Sequence, residues 1–194
     1  CALTTEGVFC WGTNRYGQLG DGTTLSRSTP VAVNGLSTDV TSVATGFLHT
    51  CARTNTGGVK CWGSNASGEL GDGTTTDRLT PVDVVGMTSG IDQVTVGGNH
   101  SCALTSLGGV LCWGLNDRGQ LGDGTTTTHL TPVRVSGLDT GIASISAGAH
   151  HTCAVTTSGS VKCWGANFAG QLGVNPGWSP VDVIFPEAPL PPLD

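Results

Sequence analysis

Cysteine, histidine and aspartate recur at spacings that could do chemistry. Eight cysteines form four pairs, Cys1/Cys10, Cys51/Cys61, Cys102/Cys112 and Cys153/Cys163. His49, His100 and His151 each stand two residues before a first cysteine, and Asp21, Asp72 and Asp123 each sit in Gly-Asp-Gly-Thr-Thr. Zinc usually takes short Cys-x-x-Cys knuckles or mixed Cys/His sets, whereas the gaps within these pairs are eight or nine residues. Calcium loops need several oxygens close together, and one carboxylate per 51 residues does not supply them. An Asx-type turn is the expected role of the aspartates. The histidines could hold a metal only if the fold gathered them, so a hydrogen-bonded structural role is expected. No metal and no cofactor follow from these residues.

The spacing belongs to a repeat. Cys10, Cys61, Cys112 and Cys163 are 51 residues apart, each followed by Trp-Gly: Trp11, Trp62, Trp113 and Trp164. Gly-x-Leu-Gly recurs at Gly17–Gly20, Gly68–Gly71, Gly119–Gly122 and Gly170–Gly173. Thr-Pro-Val recurs at Thr29, Thr80 and Thr131, with Ser179-Pro180-Val181 in the last copy. A unit reads as four short strands. Pro81–Val85 starts with proline, as a strand can; Ile91–Val96 and Ser101–Thr105 follow, and Val110–Trp113 returns through a Gly-Gly turn. No apolar period of 3.6 appears. Four strands per unit of this length predict an all-β chain, a β-propeller of about four ~51-residue, four-stranded blades, alone or within a larger propeller. The units fall near 1–28, 29–79, 80–130 and 131–178, with a final strand over 179–185. Together they make a repeat domain over 1–185, followed by a proline-rich tail over 186–194.

Facing positions on a hairpin bring Cβ atoms within disulfide reach after modest adjustment. Disulfides are therefore expected at Cys1–Cys10, Cys51–Cys61, Cys102–Cys112 and Cys153–Cys163, free buried thiols being the alternative. The four tryptophans, on the other strand face, are expected to fill the space between blades. The glycines of Gly-x-Leu-Gly should permit positive φ, dropping Leu19, Leu70, Leu121 and Leu172 into the core.

The words GVKCWGSNASGELGDGTTT (58–76) and VATGFLHTCART (43–54) resemble the repeat of the regulator of chromosome condensation family. That repeat runs roughly Val-x-x-Trp-Gly-x-Asn-x-x-Gly-Gln-Leu-Gly-x-Gly, then Val-x-x-Ile-x-x-Gly-x-x-His-x-x-Ala-Leu. The resemblance covers the chain up to about Phe185 and implies a β-propeller, usually of seven blades, that acts by binding through its faces. This chain departs by showing about four units and by adding a cysteine pair to each. Family members include exchange factors and a secreted β-lactamase inhibitor. An exchange-factor role on chromatin fits poorly with an acidic, cystine-rich chain.

Composition narrows the function. Net charge is −6 and only 11% of residues are charged, so the basic footprint for nucleic acid is missing. No apolar run approaches a membrane span, and membrane insertion is not expected. Four staples point to an oxidising compartment and to a secreted or cell-surface protein. The chain opens inside a repeat, so its natural start is expected upstream of Cys1, a lipid-modified Cys1 being the other reading. No catalytic constellation stands out, and the chain is not expected to be an enzyme. Function should sit where the copies differ, on loop tips. Arg15, Tyr16, Arg118, Phe168 and Trp178 have the anchor chemistry of binding hot spots. Asn65-Ala-Ser67 and Asn99-His-Ser101 match the N-glycosylation pattern. The leading expectation is a non-enzymatic extracellular scaffold that binds a protein or glycan partner through variable loop tips. The alternative is a structural subunit that self-associates by pairing edges into a cell-surface assembly or filament.

Overall fold

The computed structural model describes residues 1–173 and 178–183. Their order is all-β. The first sheet holds β1 (Ala2–Thr4), β2 (Gly7–Gly12) and β3 (Arg27–Ala32). The second holds β4 (Val40–Thr45), β5 (His49–Thr54), β6 (Val59–Gly63) and β7 (Arg78–Asp83). The third holds β8 (Ile91–Val96), β9 (His100–Thr105), β10 (Val110–Gly114) and β11 (His129–Arg134). The fourth holds β12 (Ile142–Ala147), β13 (His151–Thr156), β14 (Val161–Gly165) and β15 (Val181–Asp182). Every sheet is an antiparallel meander in chain order, three-stranded in the first case and four-stranded in the others. These are propeller blades. Among the described residues no helix is long and apolar enough to cross a membrane.

Each sheet begins one strand later than the unit read from the sequence. The strand carrying Thr-Pro-Val pairs with the hairpin before it, as β7 does with β6, rather than opening the next blade. Its proline is also not its first residue. Pro81 lies inside β7, an outermost strand, where the register shifts between Cys61 and Gly63. An edge strand at a bulge is where a missing N–H costs no ladder bond. The first sheet consequently lacks the strand equivalent to β4, β8 and β12, while the fourth has all four. The expected strand over 179–185 is seen as Val181–Asp182; its end and the tail over 186–194 lie outside the described residues.

The hairpin register places the cysteines opposite each other, Cys51 facing Cys61, Cys102 facing Cys112 and Cys153 facing Cys163. All four expected disulfides form, with Cα atoms 4.0–4.1 Å apart. Each closes a loop of about ten residues, worth on the order of 2–3 kcal/mol.

The cores lie between sheets. One cluster joins Val8, Leu19 and Val33 to Ala52 and Trp62 of the next blade. Another joins Val59, Leu70 and Met87 to Ile91 and Trp113. A third joins Val110, Leu121 and Leu138 to Ile142 and Trp164. Trp62, Trp113 and Trp164 have no exposed surface. Each donates its indole N–H across the junction, to the carbonyls of Gln18, Glu69 and Gln120 at 2.9–3.0 Å. Gly20, Gly71 and Gly122 lie under these rings at φ near +70°, and a Cβ there would meet the indole nitrogen at 2.6–2.7 Å. Only glycine meets both demands. Trp11 departs from the expected blade filler, being 45% exposed, and no described loop lies over it. Packing runs from sheet to sheet in chain order, and among the described residues no sizeable contact joins the fourth sheet to the first. The four blades form an open arc.

Removing a filler should therefore cost more than removing the end residue. Trp113→Ala is expected to lower unfolding free energy by about 3–5 kcal/mol. Trp11→Ala should change it by less than about 1 kcal/mol. Urea denaturation of the oxidised chain checks both.

Candidate functional site

Antiparallel order puts two kinds of connection on one face of the arc: the short turns after β4, β8 and β12, and the long loops after β2, β6, β10 and β14. The variable loop tips singled out in the sequence lie on this face.

The first three long loops are organised by the asparagine of Trp-Gly-x-Asn, and Asn167 repeats its bond to the leucine N–H in the fourth. Asn14 is fully buried; its Nδ2 donates to Asp21 Oδ1 and to the carbonyls of Thr23 and Leu25, and its Oδ1 accepts from Leu19 N–H. Asn65 and Asn116 repeat the set. The aspartates form the expected Asx turns, Asp21 Oδ1 accepting from the N–H and hydroxyl of Thr23. Burial alone would raise the carboxyl pKa of Asp21, Asp72 and Asp123. Hydrogen bonds from Thr23, Thr74 and Thr125, from the hub asparagines and from Arg27 or Arg78, joined at Asp123 by the charge of His129, outweigh it and hold all three below the usual value. The recurring Asn in all four copies is the signal that identifies this hub.

This corrects one expectation. Asn65 cannot carry a glycan in the folded chain, because its side chain is fully buried and its Nδ2 is spent on three acceptors. Asn99 is half-buried in a turn and donates to Glu69 Oε1 at 3.3 Å.

The five candidate binding residues divide into two groups. Arg118, Phe168 and Trp178 converge where the third and fourth blades meet. Gln120 is buried and accepts from Arg118 N–H at 2.8 Å while donating to Asp117 Oδ1. The Arg118 guanidinium lies 4.9 Å from the Phe168 ring centre, and Asp117 pairs with Arg118 at 3.4 Å. The Trp178 backbone packs on Gly119, and its carbonyl accepts from Gly124 N–H at 3.2 Å. The rings stay available, Phe168 being 73% and Trp178 58% exposed. With Asp117, Thr126 and Ala166 they line a cleft of about 720 Å³, within the range of ligand pockets. Two aromatic faces beside a guanidinium and a carboxylate can stack a flat or apolar group and pair a charge of either sign.

Arg15 and Tyr16 stand apart, on the first blade's loop, with the guanidinium 5.7 Å from the ring centre. Trp11 and Phe47, which sequence reasoning did not single out for binding, share the same face and flank a cleft of about 220 Å³. Phe47 is 67% exposed in the turn after β4. On the other face, a cleft of about 540 Å³ near Asp92, Leu107 and Gly141 is built on tight turns and has no aromatic lining.

The histidines are not gathered at a metal. Among the described residues no group of three His, Cys, Asp or Glu could hold one. His49 Nε2 is 2.9 Å from Ser101 Oγ, whose hydroxyl donates to the Glu69 carbonyl. The hydroxyl proton being spent, His49 must donate through Nε2–H. His100 does the same to Thr152, which donates to the Gln120 carbonyl. Nδ1 of both rings is buried without a partner, so protonation would create a buried, unsatisfied N–H. Burial lowers both pKa values to about 3, with neighbouring histidines adding to the effect at His100. Burial also lowers that of His151.

These shifts set an acid response. The folded pKa lies below the unfolded value of 6.5, so the unfolded chain takes up protons first. The histidine contribution is complete above pH 6.5 and is lost as pH falls toward 3. The three aspartates act only below about their ordinary 3.8. Urea midpoints should therefore fall steadily between pH 6.5 and 4. The His49→Gln/His100→Gln chain should show a shallower slope over that range, whatever its starting stability.

The comparisons agree with this architecture. The family model described as "Regulator of chromosome condensation (RCC1) repeat" matches residues 6–53, 56–104 and 108–155, and a second description of the same repeat matches 40–69, 91–120 and 142–171. The ultraviolet-B receptor UVR8 of Arabidopsis thaliana is 35% identical over 190 residues, covering 96% of this chain and 42% of the receptor. The probable E3 ubiquitin-protein ligase HERC4 of Homo sapiens is 37% identical over 171 residues, covering 86% of this chain and 16% of the ligase. The chain thus spans less than half the length of either relative. Human WBSCR16 superposes with a TM-score of 0.78 at 25% identity, covering 92% of this chain and 48% of that structure. Yeast RCC1 (Prp20), solved with Kap60 bound, gives 0.78 at 22%, covering 92% and 45%.

Proposed function

The chain belongs to the regulator of chromosome condensation (RCC1) repeat family, and on that premise we propose that it is a non-enzymatic binding scaffold holding a partner protein on the long-loop face of its arc. The cleft of Arg118, Phe168 and Trp178 carries this reading. Three candidate anchors from two blades meet there, with both rings exposed, the Trp178 backbone against Gly119 and the Arg118 backbone held by the buried Gln120. Exposed aromatics beside arginine are the composition of binding hot spots. The structurally similar yeast Prp20 carries Kap60 in one solved structure and binds Gsp1p and histones. Protein binding by the family supports a protein as this chain's partner too, with a glycan the other candidate for the same aromatic platform. Four disulfides among the described residues and no free cysteine suit an oxidising environment. Secretion or cell-surface display is the setting proposed. The chain's low charge and acidic balance support a partner other than nucleic acid.

A random-peptide display library and a glycan array, each selected against the oxidised chain, test the reading. Arg118→Ala/Phe168→Ala is expected to weaken the selected ligands at least tenfold, while Leu107→Ser on the opposite face leaves them unchanged. Ligands that bind the double variant as well as the parent chain would remove the cleft from the account. Hits confined to the glycan array would transfer the partner from protein to sugar.

A further inference from the structure

We propose that Asn34-Gly35 is a self-modifying site, where the glycine nitrogen closes on the asparagine side chain and converts it to aspartate and isoaspartate. The pair is the only Asn-Gly in the chain. It forms the middle of the turn Val33–Leu36 between β3 and β4, where the Leu36 N–H reaches the Val33 carbonyl at 3.4 Å. Gly35 has φ +74° at the third place, the pattern of a type II turn. Asn34 and Gly35 are both exposed. Among the described residues the Asn34 amide makes no hydrogen bond and the Gly35 N–H has no acceptor. A Cβ on Gly35 would meet nothing within 4 Å. Electrophile and nucleophile are therefore adjacent, uncommitted and unhindered. The setting belongs to the turn and not to the first blade. Val85 and Ser136 hold the same place in the second and third blades and are exposed too, and Gly86 and Gly137 have the same open space.

The reaction balances with water alone. The Gly35 nitrogen bonds to Asn34 Cγ and gives up its proton, the Cγ–Nδ2 bond breaks, and ammonia leaves with that proton. The cyclic imide then takes up one water. Opening at Cγ gives aspartate. Opening at the main-chain carbonyl gives isoaspartate, whose backbone runs on through Cβ and Cγ and is longer by one methylene. Either product makes the chain one unit more negative than −6. The extra methylene falls beside an anchored residue. Leu36 is buried with Val8, Val33 and Trp62, and its carbonyl accepts the Val8 N–H at 3.0 Å. The isoaspartate form therefore loosens the first blade from the second, whereas the aspartate form keeps the turn's length.

The fold withholds this chemistry from the comparable pairs. Asp21-Gly22, Asp72-Gly73 and Asp123-Gly124 also place a glycine after a side-chain carbonyl carbon within reach. Their glycine N–H groups are already donated to the next blade, to the carbonyls of Leu79, Leu130 and Trp178 at 3.0–3.2 Å. Their carboxylates are held by the following threonine and the hub asparagine. Asn14, Asn65 and Asn116 are buried hubs, Asn55 donates to Asp39 and Asn99 to Glu69. None of these asparagines precedes a glycine.

Peptide mapping by mass spectrometry, with an isoaspartyl methyltransferase to label isoaspartate, tests this. One sample of the oxidised chain is kept folded in warm neutral buffer and another is kept unfolded in urea. In the folded chain Asn34 is expected to convert at least tenfold faster than any other asparagine or any Asp-Gly pair. In urea the three Asp-Gly pairs should gain label as well, because their glycine N–H groups are freed. Asn34→Ser, which carries the third blade's residue at this place, should take no label while folded. An Asn34 that stays intact in the folded chain after the urea sample has converted overturns the proposal. So do Asp-Gly pairs that keep pace with it in the folded chain. The isoaspartate form, isolated by chromatography, should unfold at a lower urea midpoint than Asn34→Asp, which has the charge without the methylene. Equal midpoints would overturn the loosening. None of these readouts involves the Arg118–Phe168 cleft, so this proposal and the binding reading can fail separately.

Discussion

The fold depends on one loop carbonyl per junction. Gln18, Glu69 and Gln120 each present a main-chain oxygen that accepts an indole N–H and a hydroxyl from the next blade. A buried carbonyl left without a donor would cost far more than one bond contributes. A buried indole is subject to the same rule. Satisfying both at one oxygen fixes how far apart and at what rotation two blades stand. The glycines follow from it, since the tryptophan lies where a Cβ would be. The histidines extend it, their Nε2–H closing a relay into the same carbonyl.

With the junctions fixed, variation is confined. In the first three long loops the hub asparagine ties both ends to the Asx turn, so the two residues after it can change without unravelling the loop. Arg15-Tyr16, Ala66-Ser67, Asp117-Arg118 and Phe168-Ala169 occupy those two places. Neighbouring blades then bring different choices side by side. An arginine from one loop and a phenylalanine from the next make a cleft that neither could make alone.

Charge contributes little to stability here. The pairs Asp21–Arg27 and Asp72–Arg78 stand at partly exposed loop mouths, and such pairs are worth about 0–1 kcal/mol. Burial between blades and four short-loop disulfides do most of the stabilising. A chain with 11% charged residues can remain folded on those terms.

The sequence by itself determined what is local. The 51-residue period gives strand number, and a hairpin's register follows from its turn, so the cysteine pairing, the positive-φ glycines and the Asx turns were all legible. The candidate anchors were drawn from loop tips, because that is where the copies stop agreeing. Tertiary structure decided what depends on segments far apart in the chain. It assigned the Thr-Pro-Val strand to the preceding blade, because sheet pairing and not sequence phase defines a blade. It buried Asn65, whose sequon reads the same whether its amide is free or spent. It left Trp11 exposed while three identical tryptophans are covered, since covering requires a loop on the neighbouring blade. It separated Arg15 and Tyr16 from Arg118, Phe168 and Trp178, because the geometry of the arc, which no short stretch of chain contains, sets which loop tips meet.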